Sequence, residues 1–263
     1  MKVILLLLSP LFLFAKVHYA KVEPYEHITL KSAVSAQVVQ AKIALEGKLV
    51  KQSVIIKLDS KLDHSELKSS KSSLQLIKNM LKINQNILLA LKESMLRQEG
   101  YYKRISNIGS ASITQKDKAF TQYISAKTQY FSTQEKIDSL KKQRLDILNR
   151  IEKLKDQIGK KTIKVKNKFI YKMMVNRGDF VNMGTPLAQV KDLSQAKLVL
   201  FLEKDELQGI KQKTIYINGK STTHKVSKIW SVADEKFISS YRTEIIIPNP
   251  KDNFSRLLKV EFK

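Results

Sequence analysis

The stretch that decides the fold is LKSSKSSLQLIKNMLKINQNILLALKESMLRQEGYYKRI, residues 67–105. Steps of three and four alternate through Leu67, Ser70, Leu74, Ile77, Leu81, Asn84, Leu88, Leu91, Met95, Gln98, Tyr102 and Ile105, and nine of these twelve positions are apolar. A repeat of 3.5 residues is the mark of a helix that buries one narrow seam against another helix. After a short polar interruption, Asn107 to Ser112, the pattern resumes at Ala119, Tyr123, Ala126, Tyr130, Thr133, Ile137, Leu140, Arg144, Ile147, Ile151, Leu154 and Ile158. Ten of these twelve are apolar. Two stripes of nearly equal length, joined by a few residues, predict an antiparallel hairpin of helices over Leu62–Ile108 and Thr114–Ile158, each about 70 Å long at 1.5 Å per residue. Folding back near position 110 sets Leu81 opposite Leu140 and Leu74 opposite Ile147. A parallel homodimer through each helix is the structural alternative. Gly159 is expected to close the second helix, and Gly100 interrupts the first at a cost of about 1 kcal/mol.

Working outward, the flanks change character and resemble each other. Lys31 to Asp59 (KSAVSAQVVQAKIALEGKLVKQSVIIKLD) and Thr162 to Leu193 (TIKVKNKFIYKMMVNRGDFVNMGTPLAQVKDL) are short β-branched runs broken at glycine turns. Gly47 and Gly178 fall at the same place in each unit, followed by Val50 and Val181, so each glycine is expected at positive φ with the valine turned inward. Two β half-units on either side of a helical hairpin predict one sandwich whose halves meet across about 100 intervening residues.

Composition limits the function. The 263 residues carry 48 basic and 24 acidic side chains, a net charge of +24, with no cysteine. That excludes a disulfide framework, a thiolate metal site and a cysteine nucleophile. Forty-one of the basic residues are Lys, spread over the whole length, whereas base readout and phosphate forks favour Arg. No nucleic-acid partner is therefore expected; the charge reads as solvated helix faces. Met173, Met174 and Met183 with His18, His27, His64 and His224 could suggest soft-metal handling. Adjacent strand residues face opposite sides, however, and the histidines are scattered, so no metal site is expected. No Ser-His-Asp ordering, HExxH or Gly-rich phosphate loop stands out. The chain reads as a non-enzyme without cofactor.

At the N-terminus, Met1-Lys2 precedes the apolar run Val3–Ala15. A basic start, about a dozen apolar residues and a terminal small residue describe a signal peptide, residues 1–15, with an uncleaved anchor as the alternative. The protein is thus expected in the periplasm, associated with the cell envelope.

The run VNRGDFVNMGTPLAQVKDLSQAKLVLFLEKDEL, Val175 to Leu207, resembles the HlyD-type periplasmic adaptors, or membrane fusion proteins. Gly178, Asp179, Val181, Gly184, Leu187, Val190 and Asp192 carry that resemblance. The first half matches through Gly47, Val50, Ile56, Leu58 and Asp59. The resemblance implies an α+β, multi-domain, elongated fold: a split lipoyl-like β-sandwich (barrel-sandwich hybrid) with an inserted antiparallel coiled-coil hairpin, followed by a small β-barrel. The expected parts are 16–60 for the first half-sandwich, 61–160 for the hairpin, 161–194 for the second half and 195–263 for the barrel. With the chain stopping at Lys263, no complete membrane-proximal domain is expected. Where the family usually has Gly, this chain has Ala36, Gln52 and Lys168, so the turns there are formed differently or the strands are irregular; the usual Pro-Gly-Met is also missing near Arg256. A lipoyl or biotin carrier role is disfavoured, because the helices leave at the join where a modified Lys would be displayed.

The resemblance further implies an adaptor that bridges an inner-membrane transporter to a TolC-type outer-membrane channel, as a homo-oligomeric ring around the exit path. The resistance-nodulation-division type of transporter is favoured over an ABC type. Arg104, Ile108 and Thr114 are the candidate channel contacts at the hairpin tip, with Thr114 one residue short of the family spacing. A type I secretion adaptor and an exported coiled-coil envelope scaffold are the alternatives.

Overall fold

The computed structural model describes residues 16–234, 236–248, 250 and 254–263. The expected signal peptide therefore lies outside the described residues. The chain divides into two compact units, Leu58–Thr162 and the remainder on either side of it, completed by Ile163–Lys263.

The first unit is the predicted helical hairpin. Helix α1 spans Lys61–Ser106 and α2 spans Ile113–Lys160. None of the twelve seam positions read from the sequence in either helix is exposed. Ile77, Leu81, Ile137 and Leu140 form a buried cluster, with Leu88 and Ile147 packed on it, so Leu81 and Leu140 meet as the fold-back arithmetic requires. Each such side chain contributes about 1.5–3 kcal/mol by leaving water, and neither helix could bury its stripe alone. At the base, the Lys161 ammonium bonds Asp63, both side chains 11% exposed, and Leu58 N–H donates to the Lys161 carbonyl at 2.8 Å. Arg150 on α2 reaches Glu66 on α1 at 2.7 Å.

One helix end differs from expectation. Gly159 lies inside α2, which runs on to Lys160 and ends at Lys161 in right-handed αR geometry. The Lys161 N–H still reaches back to the Gln157 carbonyl, and its side chain is held by Asp63, so no left-handed glycine cap is needed.

The second unit is all β. Its strands are β1 (Val17–Lys31), β2 (Ala36–Ala41), β3 (Leu49–Leu58), β4 (Thr162–Met173), β5 (Phe180–Val181) and β6 (Pro186–Glu203). They are followed by β7 (Ile215–Ile217), β8 (Lys220–Ser221), β9 (Val226–Ile229), β10 (Ser240–Pro248) and β11 (Leu257–Phe262). The hydrogen-bonded order is β5-β2-β3-β4-β6-β1-β11-β7-β8, with β10 pairing β6 and β9. The segments before and after the hairpin, β3 and β4, are therefore neighbours, and the split sandwich closes on itself.

The two halves exchange backbone bonds at their glycine turns. Gly47 N–H donates to the Ile170 carbonyl at 2.8 Å, and Ile170 N–H returns to Lys48 at 3.0 Å. Gly178 N–H donates to Val38 at 2.8 Å, and Gly184 N–H to Ser32 at 2.8 Å. All three glycines stand at positive φ (72°, 101° and 86°), and Val50 and Val181 are buried as expected. The Asp179 carboxylate accepts from Asn176 N–H at 2.8 Å and pins the Arg-Gly-Asp turn from within.

The start drawn at residue 16 for the first half-sandwich differs in the structure. Val17–Lys21 pair with β11, and Ala20 and Val22 lie in the core formed by Leu198, Leu200, Leu202, Ile215, Ile245 and Val260. Strand β1 thus begins in the barrel and passes into the sandwich, with a register shift between Pro24 and Glu26. Strand β6 makes the same passage in reverse: Pro186 to Asp192 pair with Lys31 to Glu26 of β1, and from Gln195 on β6 also pairs with β10. Pro24 explains the break: its missing N–H forbids a continuous ladder.

Where the resemblance leads to expect glycine, Ala36 and Gln52 lie within β2 and β3, whereas at the other two places a neighbouring residue takes positive φ. Asn167 takes φ 50° just before Lys168, and Ser255 takes φ 66° just before Arg256. Asn tolerates the left-handed region through its short polar side chain, whereas Ser255 sits there under strain.

Candidate functional site at the hairpin tip

The tip is built by a stop and a start. α1 ends at Ser106, where the Ser106 hydroxyl donates to the Lys103 carbonyl at 3.1 Å and Ile108 N–H bonds the Ile105 carbonyl at 3.2 Å. α2 starts with a capping box: Gln115 N–H donates to the Ser112 hydroxyl at 3.2 Å, and Ser112 N–H donates to the Gln115 side chain at 3.0 Å. Two orphan donors are satisfied reciprocally, which fixes the direction in which α2 departs.

Behind the turn, Tyr102 of α1 packs against Phe120 and Tyr123 of α2, at ring centroid distances of 5.3 and 6.1 Å. The Tyr102 and Tyr123 rings are parallel to within 3°. Such pairs contribute about 0.5–1.5 kcal/mol beyond their burial, so the end of α1 and the beginning of α2 are held together by aromatic contacts rather than left to fray. Tyr102 and Tyr123 were legible as seam positions. Phe120 was not, because it stands one residue beyond Ala119 and off the heptad.

On this platform Arg104, Ile108 and Thr114 are all exposed. Arg104 lies in the last turn of α1, Ile108 in the connecting turn and Thr114 in the first turn of α2. Ile108 and Ile113 are 45% and 79% exposed; Ile113 was not among the candidates read from the sequence. The cations differ in their engagement. Lys103 bonds Glu99 at 2.7 Å, which raises its pKa above the ordinary value, and Arg97 lies 4.0 Å from Glu93. Among the described residues, no hydrogen bond or ion pair engages the Arg104 guanidinium. It lies above Gly100, where a Cβ would come within 3.5 Å of Nη1.

Arg104 is also one wall of a groove of about 680 Å³ between the two helices, shared with Arg97, Gly100, Gln115, Lys118 and Gln122. No carboxylate lines it among the described residues. The tip therefore offers an unpaired guanidinium, two further cations and two exposed isoleucines on a rigid end. That combination can fork onto carbonyls or carboxylates of a partner while aliphatic side chains pack beside it.

The lipoyl-like turn residues Gly47, Gly178, Asp179 and Gly184 are not part of this tip; they act as the sandwich's own fastenings. Among the described residues no group of three or more His, Asp or Glu is placed to hold a metal ion. Met173 is buried and Met174 exposed, and His18 bonds Glu206 at 2.7 Å. No helix of the described residues is long and apolar enough to cross a membrane.

No protein-family model and no curated protein matches the sequence. Solved structures do match. MacA from Actinobacillus actinomycetemcomitans is 15% identical, with a TM-score of 0.64 over 95% of this chain and 79% of that one. A MacA–MexA chimera carrying the Pseudomonas aeruginosa MexA α-hairpin domain is 14% identical, with a TM-score of 0.59 over 94% and 81%. The membrane fusion protein Spr0693 from Streptococcus pneumoniae R6 is 10% identical, with a TM-score of 0.55 over 95% and 99%. Identities this low speak to architecture, and the architecture is the one the glycine turns and heptads predict: the chain has the fold of the HlyD-type membrane fusion proteins.

Proposed function

We propose that this protein is a periplasmic adaptor that links an inner-membrane transporter to a TolC-type outer-membrane channel, with the hairpin tip as the channel contact. The observation that carries the reading is the unpaired Arg104 beside exposed Ile108 and Ile113, on a tip made rigid by the Ser112 capping box and the Tyr102 cluster. A structural tip with no partner would gain nothing from leaving a guanidinium unengaged while its neighbours Lys103 and Arg97 pair locally. Helices of about 70 Å suit a spacer, and several copies around an axis would form a conduit. In such a conduit the protein works without catalysis.

The test is a disulfide-free chain turned to advantage. A single Arg104→Cys variant, probed with a thiol-reactive bifunctional reagent in cells that express the channel, is expected to crosslink to it. The reading is overturned by an Arg104→Cys protein that supports transport and yields no crosslink.

A further inference from the structure

The barrel carries a second surface that the tip does not use. A groove of about 690 Å³ opens between the loop after β6 and strands β9 and β10, lined by Leu207, Ile229, Trp230 and Tyr241 together with Lys204 and Lys211. Its volume lies within the range of small-molecule sites. Gln208 and Ser231 complete the lining, and both of its charged groups among the described residues are lysines. Neither lysine has an ion-pair partner within 4 Å among the described residues, although Asp205 and Glu206 adjoin Lys204 in sequence. Trp230 is only half-buried. Its N–H side of the backbone is fixed by the Arg242 carbonyl at 2.9 Å, and its ring carries Lys228 at 4.3 Å and Arg242 at 4.8 Å from the centroid. The indole is thus flanked by two cations and is part of the groove's lining.

We propose that this groove binds a small anionic amphiphile, an apolar chain or ring ending in a carboxylate or sulfonate. The apolar body covers Trp230, Leu207 and Ile229, and the anionic head lies between Lys204 and Lys211. A simple anion needs no indole and no aliphatic wall, and an uncharged apolar molecule leaves two lysines beside the site unused. The proposal stands on the barrel alone and is independent of the channel contact at the tip.

Trp230 is the single tryptophan of the chain, so its fluorescence reports this groove directly. Sodium decanoate, titrated below its micelle concentration into the full chain, is expected to give a saturable change in intensity or emission maximum. Decyltrimethylammonium and decyl glucoside are expected to give none in the same range. The variant Lys204→Gln/Lys211→Gln should weaken decanoate binding roughly tenfold, the worth of two partly solvated charge contacts, with an unchanged far-UV circular dichroism spectrum. Lys220→Gln/Lys225→Gln, which removes two exposed lysines outside the groove lining, should bind as the parent does. The proposal is overturned by an unsaturable response, by an equal response to the cationic or uncharged amphiphile, or by a lysine variant that binds decanoate unchanged.

Discussion

The Lys168 ammonium lies 2.6 Å from the Asp192 carboxylate, joining β4 to the middle of β6. Lys168 stands where the adaptor family usually has glycine, and Asp192 is one of the residues that carry the resemblance. The departure therefore supplies the ion-pair partner of a residue that carries the resemblance. Partial burial alone would raise the Asp192 pKa, but the Lys168 bond and the Ser194 N–H at 2.9 Å hold it down to about 2, against an ordinary 3.8. A depressed carboxylate stabilises the fold fully above the unfolded value and loses that contribution as the pH falls from about 4 towards 2. With the side chain 17% exposed and partly screened, the contribution is on the order of 1–2 kcal/mol. Asp192→Asn is expected to lower the urea midpoint at pH 7 and to converge on the parent as the pH falls through 2. A deficit independent of pH would refute the ion-pair account.

The glycines of this chain are not interchangeable, and alanine should sort them. Gly178 stands at φ 101° with open space around a hypothetical Cβ, so Gly178→Ala meets backbone strain and no clash. The cost is about 1–3 kcal/mol, read as a lower urea midpoint of the β unit. Gly159, helical and equally unobstructed, should respond with the opposite sign: Gly159→Ala gains up to about 1 kcal/mol of helix propensity. The same sign in both variants would contradict the two backbone assignments.

This contrast shows where the sequence was legible and where it was not. The heptads were, because a 3.5-residue repeat is a local signal that survives over forty residues, and every seam position from Leu67 to Ile158 is shielded. The Gly47, Gly178 and Gly184 turns were, because positive φ selects glycine. The end of α2 was misread because Gly159 imitates a C-terminal cap while a long-range pair, Lys161 with Asp63, does the work. The passage of β1 from barrel to sandwich was invisible for the same reason. Its partners, β11 and β6, lie 155 to 244 residues away, and no pattern within Val17–Lys31 states which segment of that strand joins which core. The Trp230 groove escaped too, since its walls come from three separate short segments, each unremarkable alone.

One seam position contradicts its own pattern. Arg144 occupies a heptad site in α2, is not exposed, and has a buried Nε with no partner. A buried donor left unsatisfied costs about 1–3 kcal/mol, whereas an aliphatic side chain would extend the cluster around Ile77 and Leu140. Arg144→Leu is expected to stabilise the hairpin by about 1 kcal/mol or more and to raise its melting midpoint by a few degrees, followed by far-UV circular dichroism. A lower midpoint would mean that the guanidinium contributes bonds beyond its Nε.

Near the tip, stability and recognition can be separated by two residues one helical turn apart. Gly100 lies within α1, and an added Cβ would meet Arg104 Nη1 at an ordinary contact distance of 3.5 Å. Gly100→Ala should therefore stabilise the hairpin by about 1 kcal/mol while leaving the guanidinium in place. Arg104→Glu removes no ion pair in the free protein and reverses only a solvated charge in the last turn of α1, so it should cost the hairpin no more than about 1 kcal/mol and leave the melting midpoint within a few degrees of the parent. In the adaptor reading it places a like charge against the acceptor groups that the guanidinium would meet, so transport should fall at least tenfold. Arg104→Lys keeps the charge and loses the planar fork, and an intermediate loss is expected. Measured together, the melting midpoint and transport should move independently: Gly100→Ala in the first, the Arg104 series in the second. If Arg104→Glu transports normally, the guanidinium is an ordinary solvated helix charge and the channel contact lies elsewhere. If it transports poorly only because it melts early, the residue is structural, and the absence of any partner for it in the free hairpin has been misread.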